Sequence, residues 1–184
     1  MVMLKNIEKI DWSNLKTASG TASEVPRAIR DLTSVDSKTR ERAYWQLDNH
    51  VVLQSDLYES AYFVVPFLIE ILDSKIIDGR EYVYDLLFEI ANGYAPEDEI
   101  CVYDGCKIYI KQGTRDRVVA GIETYMKEIL DTSSNCRSKA LELVVSLKEK
   151  FRTIVPELQE AIAREASRDF KRELTEALSE ISVD

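Results

Sequence analysis

Apolar residues recur three or four positions apart along most of the chain, which is the spacing of one face of an α-helix. The segments that keep this spacing predict eight helices, near 23–33, 38–52, 58–73, 79–92, 114–131, 136–150, 153–165 and 167–181. In the third of these helices we expect Leu68 and Ile69 to be buried. The last helix has a heavily charged face opposite its apolar face, which is typical of a helix that caps a repeat array.

A Val-Pro pair occurs at three places, Val25, Val65 and Val155, and apolar residues follow each pair at helical spacing. Proline is tolerated in the first turn of a helix, so we interpret each pair as the start of a helix. The first two pairs are about 40 residues apart and the last two about twice 45, which is the period of stacked helix pairs. The segment 122–130, IETYMKEIL, fits the missing copy.

A second pattern precedes the later copies: an Asp or Asn, a basic residue, and apolar residues three and seven positions after the basic one. It occurs around Arg40, Arg80 and Arg137. Asp and Asn are suited to cap a helix, and a small residue in its middle permits close approach of another helix. We therefore interpret these segments as the first helices of successive helix pairs.

The alternation of Asp-x-x-x-Arg-x-x-Ala-x-x-x-Leu with Val-Pro-x-Leu resembles HEAT repeats. Residues 20–92 are similar, more narrowly, to a bacterial group of short HEAT-repeat proteins with a connector before a Val-Pro-Phe-Leu helix. The connector here is QSDLYESAYFVVPFL, with matching residues at Gln54, Tyr58, Glu59 and Ala61. Leu53 stands where the group often has His. The resemblance implies a right-handed α-solenoid of antiparallel helix pairs, a fold used for binding proteins rather than for catalysis.

The predicted fold is therefore all-α: one HEAT-like domain over 1–184 with about four helix pairs and a capping helix at 167–181. An irregular helical bundle is the alternative. One loop, at 93–113, is too long for a simple connection between helices. It contains CVYDGCKIYI, where apolar and polar residues partly alternate around Asp104 and Gly105. Because Asp-Gly favours the tight turn of a hairpin, we predict a β-hairpin inside the loop.

The chain is acidic, since its 184 residues include 33 Asp and Glu against 24 Lys and Arg, for a net charge of −9. Nucleic-acid binding relies on cations that neutralise phosphates, so this balance argues against nucleic acid and favours a basic protein partner. No apolar run approaches the ~20 residues of a membrane span, and the first residues lack the apolar core of a signal peptide. We therefore expect no membrane partner and a cytoplasmic location.

Few residues could carry chemistry. His50 is the only histidine, which leaves no Ser-His-Asp or Cys-His arrangement and no two-His metal site. The three cysteines, Cys101, Cys106 and Cys136, would need a fourth ligand to bind zinc. We therefore predict no catalytic residue, no cofactor and no metal, and an enzyme is the weakest alternative. The aromatic residues on first helices, expected to pack between repeats, are Tyr44, Trp45, Tyr82, Tyr84 and Phe88.

The loop combines tyrosines with acidic residues, as an interface for a basic protein does; the alternative is a loop that folds back over one edge. The loop candidates are Tyr94, Glu97, Asp98, Glu99, Tyr103 and Asp104. Candidates on second helices are Arg27, Arg30, Glu70, Glu123, Lys127, Glu157 and Glu160. We predict a non-enzymatic protein-binding module, in its sharper form an immunity protein that neutralises a basic bacterial toxin by covering its active site. A scaffold or assembly subunit is the alternative.

Overall fold

The computed structural model of the chain describes residues 4–147 and 154–182. Within these residues there are nine α-helices and three two-stranded antiparallel sheets, so the predicted helical character is confirmed. The chain divides into two compact units, Met1–Ala120 and Gly121–Asp184. The right-handed solenoid and the single domain over 1–184 stay predictions.

In the first unit, the short 3-10 helices Ile7–Lys9 and Trp12–Asn14 precede five α-helices. These are α1 Val25–Asp31, α2 Ser37–Val51, α3 Glu59–Leu72, α4 Arg80–Asn92 and α5 Ile110–Val119. Helix α1 packs against α2, α3 packs against both α4 and α5, and α2 also packs against α4. The repeated sequence patterns pair α2 with α3, and these two helices are also in contact.

Three β-hairpins connect helices of this unit. Their strands are β1 Lys16–Thr17 with β2 Gly20–Thr21, β3 Val52–Leu53 with β4 Asp56–Leu57, and β5 Ile100–Tyr103 with β6 Cys106–Tyr109. The third hairpin is the predicted one, and its turn has Asp104 and Gly105 at φ 49° and 75°, as a type I′ turn requires. The first two hairpins were not predicted, because strands of two residues are too short to show alternation.

Helix α3 supplies much of the core of the first unit. Its buried residues include Val64, Val65, Leu68 and Ile71, each 0% exposed. The prediction for Leu68 is confirmed, whereas Ile69 is only half-buried, so the prediction for Ile69 is wrong. Among the helices of residues 4–147 and 154–182, none has the length and apolar composition needed to cross a membrane.

The interpretation of Val-Pro pairs as helix starts is right for two of the three pairs. Pro26 and Pro156 lie in the first positions of their helices. Pro66 instead lies inside α3, which begins at Glu59. The apolar run extends on both sides of this proline and is buried, and helices in proteins gain most of their stability from such packing. Burial therefore outweighs the loss of one backbone hydrogen bond at Pro66.

The second unit contains α6 Ile122–Leu130, α7 Arg137–Ser146, α8 Val155–Arg164 and α9 Arg168–Ser182. Helix α7 packs against α6 and α9, and α8 packs against α9. The end of the predicted helix 136–150 and residue 153 lie outside the described residues.

The helix predicted over 114–131 is wrong, because two helices occupy this part of the chain. Helix α5 ends at Val119 and α6 begins at Ile122, with Ala120 and Gly121 between them. Apolar periodicity continues across this break. Glycine, however, is a poor helix former and favours a break at that point.

The arginine of the second repeated pattern has the same structural role in each copy. The bonds run from Arg40 to Ser34 (2.7 Å), from Arg80 to Leu72 (2.8 Å) and from Arg137 to Ile129 (2.8 Å). In each case the guanidinium donates to a backbone carbonyl at or just past the end of the preceding helix. The last carbonyls of a helix lack partners within it, so these arginines stabilise the turn between two helices.

Candidate functional site

A groove of about 840 Å³ lies in the first unit between the N-terminal segment (residues 4–15), α3 and the β5–β6 hairpin. Helix α3 lines it with Glu59, Phe63, Pro66, Phe67 and Glu70. Residues at this spacing share one face of a helix, because three or four positions complete about one turn. The same helix therefore contributes its other residues to the core and this face to the groove.

The proline in this face has a specific consequence for the backbone. Because Pro66 has no N–H, the carbonyl of Tyr62, four residues earlier, lacks its helical donor. Arg117 of α5 replaces it, since its Nη1 donates to the Tyr62 carbonyl at 2.9 Å. The Arg117 Cζ also lies 3.5 Å from the ring centroid of Tyr62 and 4.5 Å from that of Tyr103. One cation thus restores the missing bond and connects α3 with the hairpin.

The inner face of the hairpin packs against α3. The ring of Tyr103 lies edge-on to those of Tyr62 and Phe63, with centroids 5.7 and 5.9 Å apart. Gly113 of α5 permits the hairpin to approach that helix as well, because a Cβ there would lie only 2.2 Å from the side chain of Ile108. Cys101 is buried on the same face, and burial raises the pKa of its thiol to about 11. This face of the hairpin is therefore folded back on α3, whereas the expectation that it covers the edge of a solenoid stays a prediction.

The outer face of the hairpin is exposed. Ile100 pairs with Tyr109 and Val102 with Lys107, and alternate residues of a strand share a face. Val102 and Tyr109 are 59% and 61% exposed. An exposed group of apolar side chains of this kind is typical of an interaction surface.

Acidic groups outnumber basic ones in the groove lining. The carboxylates are those of Asp11, Glu59, Glu70 and Asp104, and the cations are Lys9 and Arg117. Two of the carboxylates also hold the neighbouring chain in place, since Glu70 accepts from the Leu4 N–H at 2.7 Å and Glu59 from the Lys16 N–H at 3.2 Å. The hydroxyl of Ser13, followed by the amide of Asn14, lowers the pKa of Asp11. The groove thus combines an aromatic floor with an acidic border.

No known protein family, curated protein or solved structure matches this chain. The resemblance to HEAT repeats therefore stays a prediction from the sequence patterns. Function has to be argued from the groove, the hairpin and their chemistry.

Three predicted site residues, Glu70, Tyr103 and Asp104, meet in the groove lining. The other loop candidates lie outside that lining. Glu97 and Asp98 are exposed, and Glu99 is half-buried.

Tyr94 is 56% exposed and lies 5.6 Å from the Lys111 Nζ, measured to the ring centroid. Its backbone is fixed, since its N–H donates to the Ser55 carbonyl and its carbonyl accepts from the Leu57 N–H, both at 2.6 Å. The beginning of the loop is thus held against the second hairpin.

The structure gives the two α1 candidates acidic neighbours. Arg27 forms an ion pair with Asp31 at 3.8 Å, and Arg30 forms one with Glu8. Both arginines are exposed, and neither is a lining residue of the groove. Exposed pairs of this kind contribute little to stability.

In the second unit, Glu123 and Lys127 are exposed on α6. Glu157 and Glu160 of α8 line a smaller cavity of about 240 Å³. Two acidic residues of this cavity form ion pairs with arginines that also line it, since Arg164 pairs with Glu160 and Arg137 with Glu165. The bond from Arg137 is the main cause of the lowered pKa of Glu165.

The groups considered for chemistry are dispersed. Cys101 and Cys136 are buried and Cys106 is exposed, and all three are free. His50 Nδ1 lies 2.7 Å from the Gln46 carbonyl within α2. Within the part of the chain that the structure describes, no three His, Cys, Asp or Glu side chains form a group that could hold a metal ion.

The sequence patterns do not indicate that the N-terminal segment and Arg117 belong to this site. The segment has no long periodic stretch, and its position depends on distant contacts such as that of Leu4 with Glu70. A signal for Arg117 was available, because a proline inside a predicted helix requires a replacement donor. Which residue supplies the donor, however, depends on how α5 packs against α3.

Proposed function

We propose that this chain is a non-enzymatic protein-binding module that receives a basic segment of another protein in the groove. The observation that carries the proposal is the aromatic floor, formed by Phe63, Phe67 and Tyr103, bordered by four carboxylates and by the exposed hairpin. Aromatic side chains are enriched at the centres of protein interfaces. A surrounding negative potential selects partners of opposite charge.

The two parts of the groove have different roles in this proposal. The carboxylates at its border steer a basic partner toward it and so raise the association rate, in a manner that salt weakens. The aromatic floor and the apolar outer face of the hairpin, with Val102 and Tyr109, exclude water and slow dissociation. The net charge of −9 adds to the steering.

In its sharper form, the proposal is that the chain is an immunity protein for a basic bacterial toxin. Inhibition of this kind requires no chemistry from the chain, only a complementary surface that covers the cationic region where the toxin takes its substrate. Support comes from the acidic charge and from the resemblance of residues 20–92 to short bacterial HEAT-repeat proteins. The alternative, a scaffold or assembly subunit, would use the same groove for a partner that is not toxic.

The first experiment is a capture of partners from the native host with three forms of the chain: wild type, Val102→Arg and Val35→Arg. Val102 lines the groove, whereas Val35 is 93% exposed and is not a groove residue. Both substitutions replace an exposed valine by the same cation, so Val35→Arg is a matched control. We expect a basic partner whose affinity falls about tenfold or more with Val102→Arg and stays near that of wild type with Val35→Arg. Equal capture by all three forms would contradict the proposal.

The second experiment separates the two forms of the proposal. The captured partner is expressed in the host with and without this chain, and growth is measured. Arrest by the partner alone, relieved by wild type and not by Val102→Arg, is expected of an immunity protein. Normal growth with the partner alone would support the scaffold.

A further inference from the structure

A second surface of the first unit lies where α2 packs against α4, and none of its residues lines the groove. Three aromatic rings meet there. The ring centroid of Tyr44 lies 5.2 Å from that of Tyr82 and 4.9 Å from that of Trp45. Trp45 was predicted to pack between repeats, but it is 53% exposed, so that prediction is wrong. An exposed tryptophan next to half-buried tyrosines is typical of a binding surface.

Carboxylates lie beside these rings. Asp48 is one helical turn after Tyr44 on α2, and Asp85 and Glu89 are one and two turns after Tyr82 on α4, so they share the faces of the two tyrosines. Burial and then the charges of the three carboxylates raise the pKa of Tyr44 to about 12. The three carboxylates therefore lie close enough to the ring of Tyr44 to act on its hydroxyl.

The described surroundings of Asp48 and Glu89 disfavour the charged form of both carboxylates. Burial raises the pKa of Asp48. Burial is also the largest cause of the raised pKa of Glu89, and the charges of Asp48 and Asp85 raise that pKa further. Carboxylates placed in this way lower the stability of the fold slightly, and departures from stability are expected at functional sites.

We propose that this α2–α4 surface binds a Lys- or Arg-bearing segment of a partner protein, whose cationic head group lies on the rings of Tyr44, Trp45 and Tyr82 and pairs with Asp48 and Glu89. Aromatic faces attract ammonium and guanidinium groups, and desolvated carboxylates strengthen that attraction. A bare metal ion fits less well, because no three His, Cys, Asp or Glu side chains among the described residues form a group that could hold one. The inference does not depend on the proposed function of the groove.

The tryptophan of the surface provides the readout. The chain has two tryptophans, and Trp12 is buried, with its indole N–H donating to the Ile7 carbonyl at 2.7 Å. The difference in emission between wild type and Trp45→Phe therefore reports on the α2–α4 surface. The probes are tetraarginine and tetralysine peptides blocked at both ends, with blocked tetraglutamate as the peptide of opposite charge. We expect a saturable change with the cationic peptides and none with tetraglutamate.

The test variant is Asp48→Asn with Glu89→Gln, which removes two charges and no bulk. The matched control, Glu142→Gln with Glu180→Gln, removes the same number of charges from exposed positions in the second unit. We expect the test variant to weaken binding of tetraarginine at least about tenfold and the control to stay within about twofold of wild type. Val102→Arg should leave this titration unchanged, so failure here and failure of the groove proposal are distinguishable.

Three results would overturn the inference. One is an emission change that never saturates. Another is equal binding by the test and control variants, which would show attraction by net charge alone. The third is an emission change with protein concentration in the absence of peptide, which would assign the surface to a second copy of the chain. Removing the clustered charges relieves repulsion and should not impair folding, so lost binding would not reflect an unfolded variant.

Discussion

Two clusters in the first unit combine tyrosine rings with charged groups, yet they differ in the source of the opposite charge. In the groove wall, Arg117 of the chain itself lies between Tyr62 and Tyr103 and donates to a backbone carbonyl. On the α2–α4 surface, the influences on the pKa of Asp48 and Glu89 all disfavour ionisation. The first cluster is thus completed by the fold and stabilises it. The second would be completed by a cation from outside.

Composition alone does not distinguish a cluster that stabilises the fold from one that is open to a partner. Both contain tyrosines and charged side chains at helical spacing. What differs is whether the fold supplies the partner charge. Mutations in the two clusters are therefore expected to change the free energy of unfolding in opposite directions.

The largest expected loss of stability comes from truncating a core side chain. Leu68 is 0% exposed in the core of α3, so Leu68→Ala should lower the free energy of unfolding by about 2–5 kcal/mol. Ile69→Ala, at the half-buried neighbouring position, should cost less. Denaturant midpoints of both variants check the order, and the reverse order would mean that the buried face of α3 is wrongly assigned.

The next effect tests the structural cluster. Arg117→Met removes the donor to the Tyr62 carbonyl and the cation between two rings, so it should cost about 2–4 kcal/mol. Arg27→Met, at an exposed position, should stay within about 0.5 kcal/mol of wild type.

A double-mutant cycle makes this prediction specific. In Pro66→Ala the new N–H can donate to the Tyr62 carbonyl, as in an ordinary helix. Arg117→Met should therefore cost about 1 kcal/mol less in the Pro66→Ala background than in wild type. Equal costs in the two backgrounds would show that Arg117 does not replace the bond that Pro66 cannot form.

Neutralising a carboxylate of the α2–α4 surface should raise the free energy of unfolding rather than lower it. A carboxyl group whose pKa is raised by folding holds its proton more tightly in the folded chain, so it destabilises the fold when ionised at neutral pH. Glu89 faces Asp48 and Asp85 as well as Tyr44 and Tyr82. Glu89→Gln should therefore raise the free energy of unfolding at neutral pH, by at most about 0.5 kcal/mol. The gain should shrink as pH falls through the raised pKa and vanish below the ordinary carboxyl pKa of about 4.

A carboxylate with a partner in the chain provides the matched comparison. Arg137 lowers the pKa of Glu165, so this ionised group stabilises the fold above its unfolded pKa, and the contribution is lost as pH falls through the folded pKa. Glu165→Gln should thus destabilise at neutral pH and approach wild type in acid. Thermal unfolding of both variants across pH measures the contrast, and the same sign for both would refute it.

The sequence predicted those parts of the fold that depend on local pattern. Apolar spacing located the helices, and the Asp104-Gly105 turn located the third hairpin, because both signals lie within a few residues. Gly121 ended a helix inside a continuous apolar pattern, and Pro66 was accepted inside α3 because burial outweighed its cost. Both outcomes depended on the balance between the backbone preference of one residue and the burial of its neighbours, which apolar periodicity does not measure.

The candidate site was less predictable, since it is assembled from distant segments. Tyr103 and Asp104, predicted from composition, and Glu70, predicted from helical position, lie in the groove lining, and their role in binding a partner stays a prediction. Arg117, the segment 4–15 and the α2–α4 surface depend on which helices meet. Tyr44 and Tyr82, for instance, become neighbours only when α2 packs against α4.

The groove proposal is tested most directly by hydrogen–deuterium exchange of the chain with and without its captured basic partner. Slower exchange is expected at the hairpin strands Ile100–Tyr103 and Cys106–Tyr109 and in the segment 4–15, because a bound segment would cover both sides of the groove. Val35→Arg should reproduce this protection, and Val102→Arg should lose it. Unchanged exchange at the hairpin and the segment, with the partner fully bound, would contradict the account.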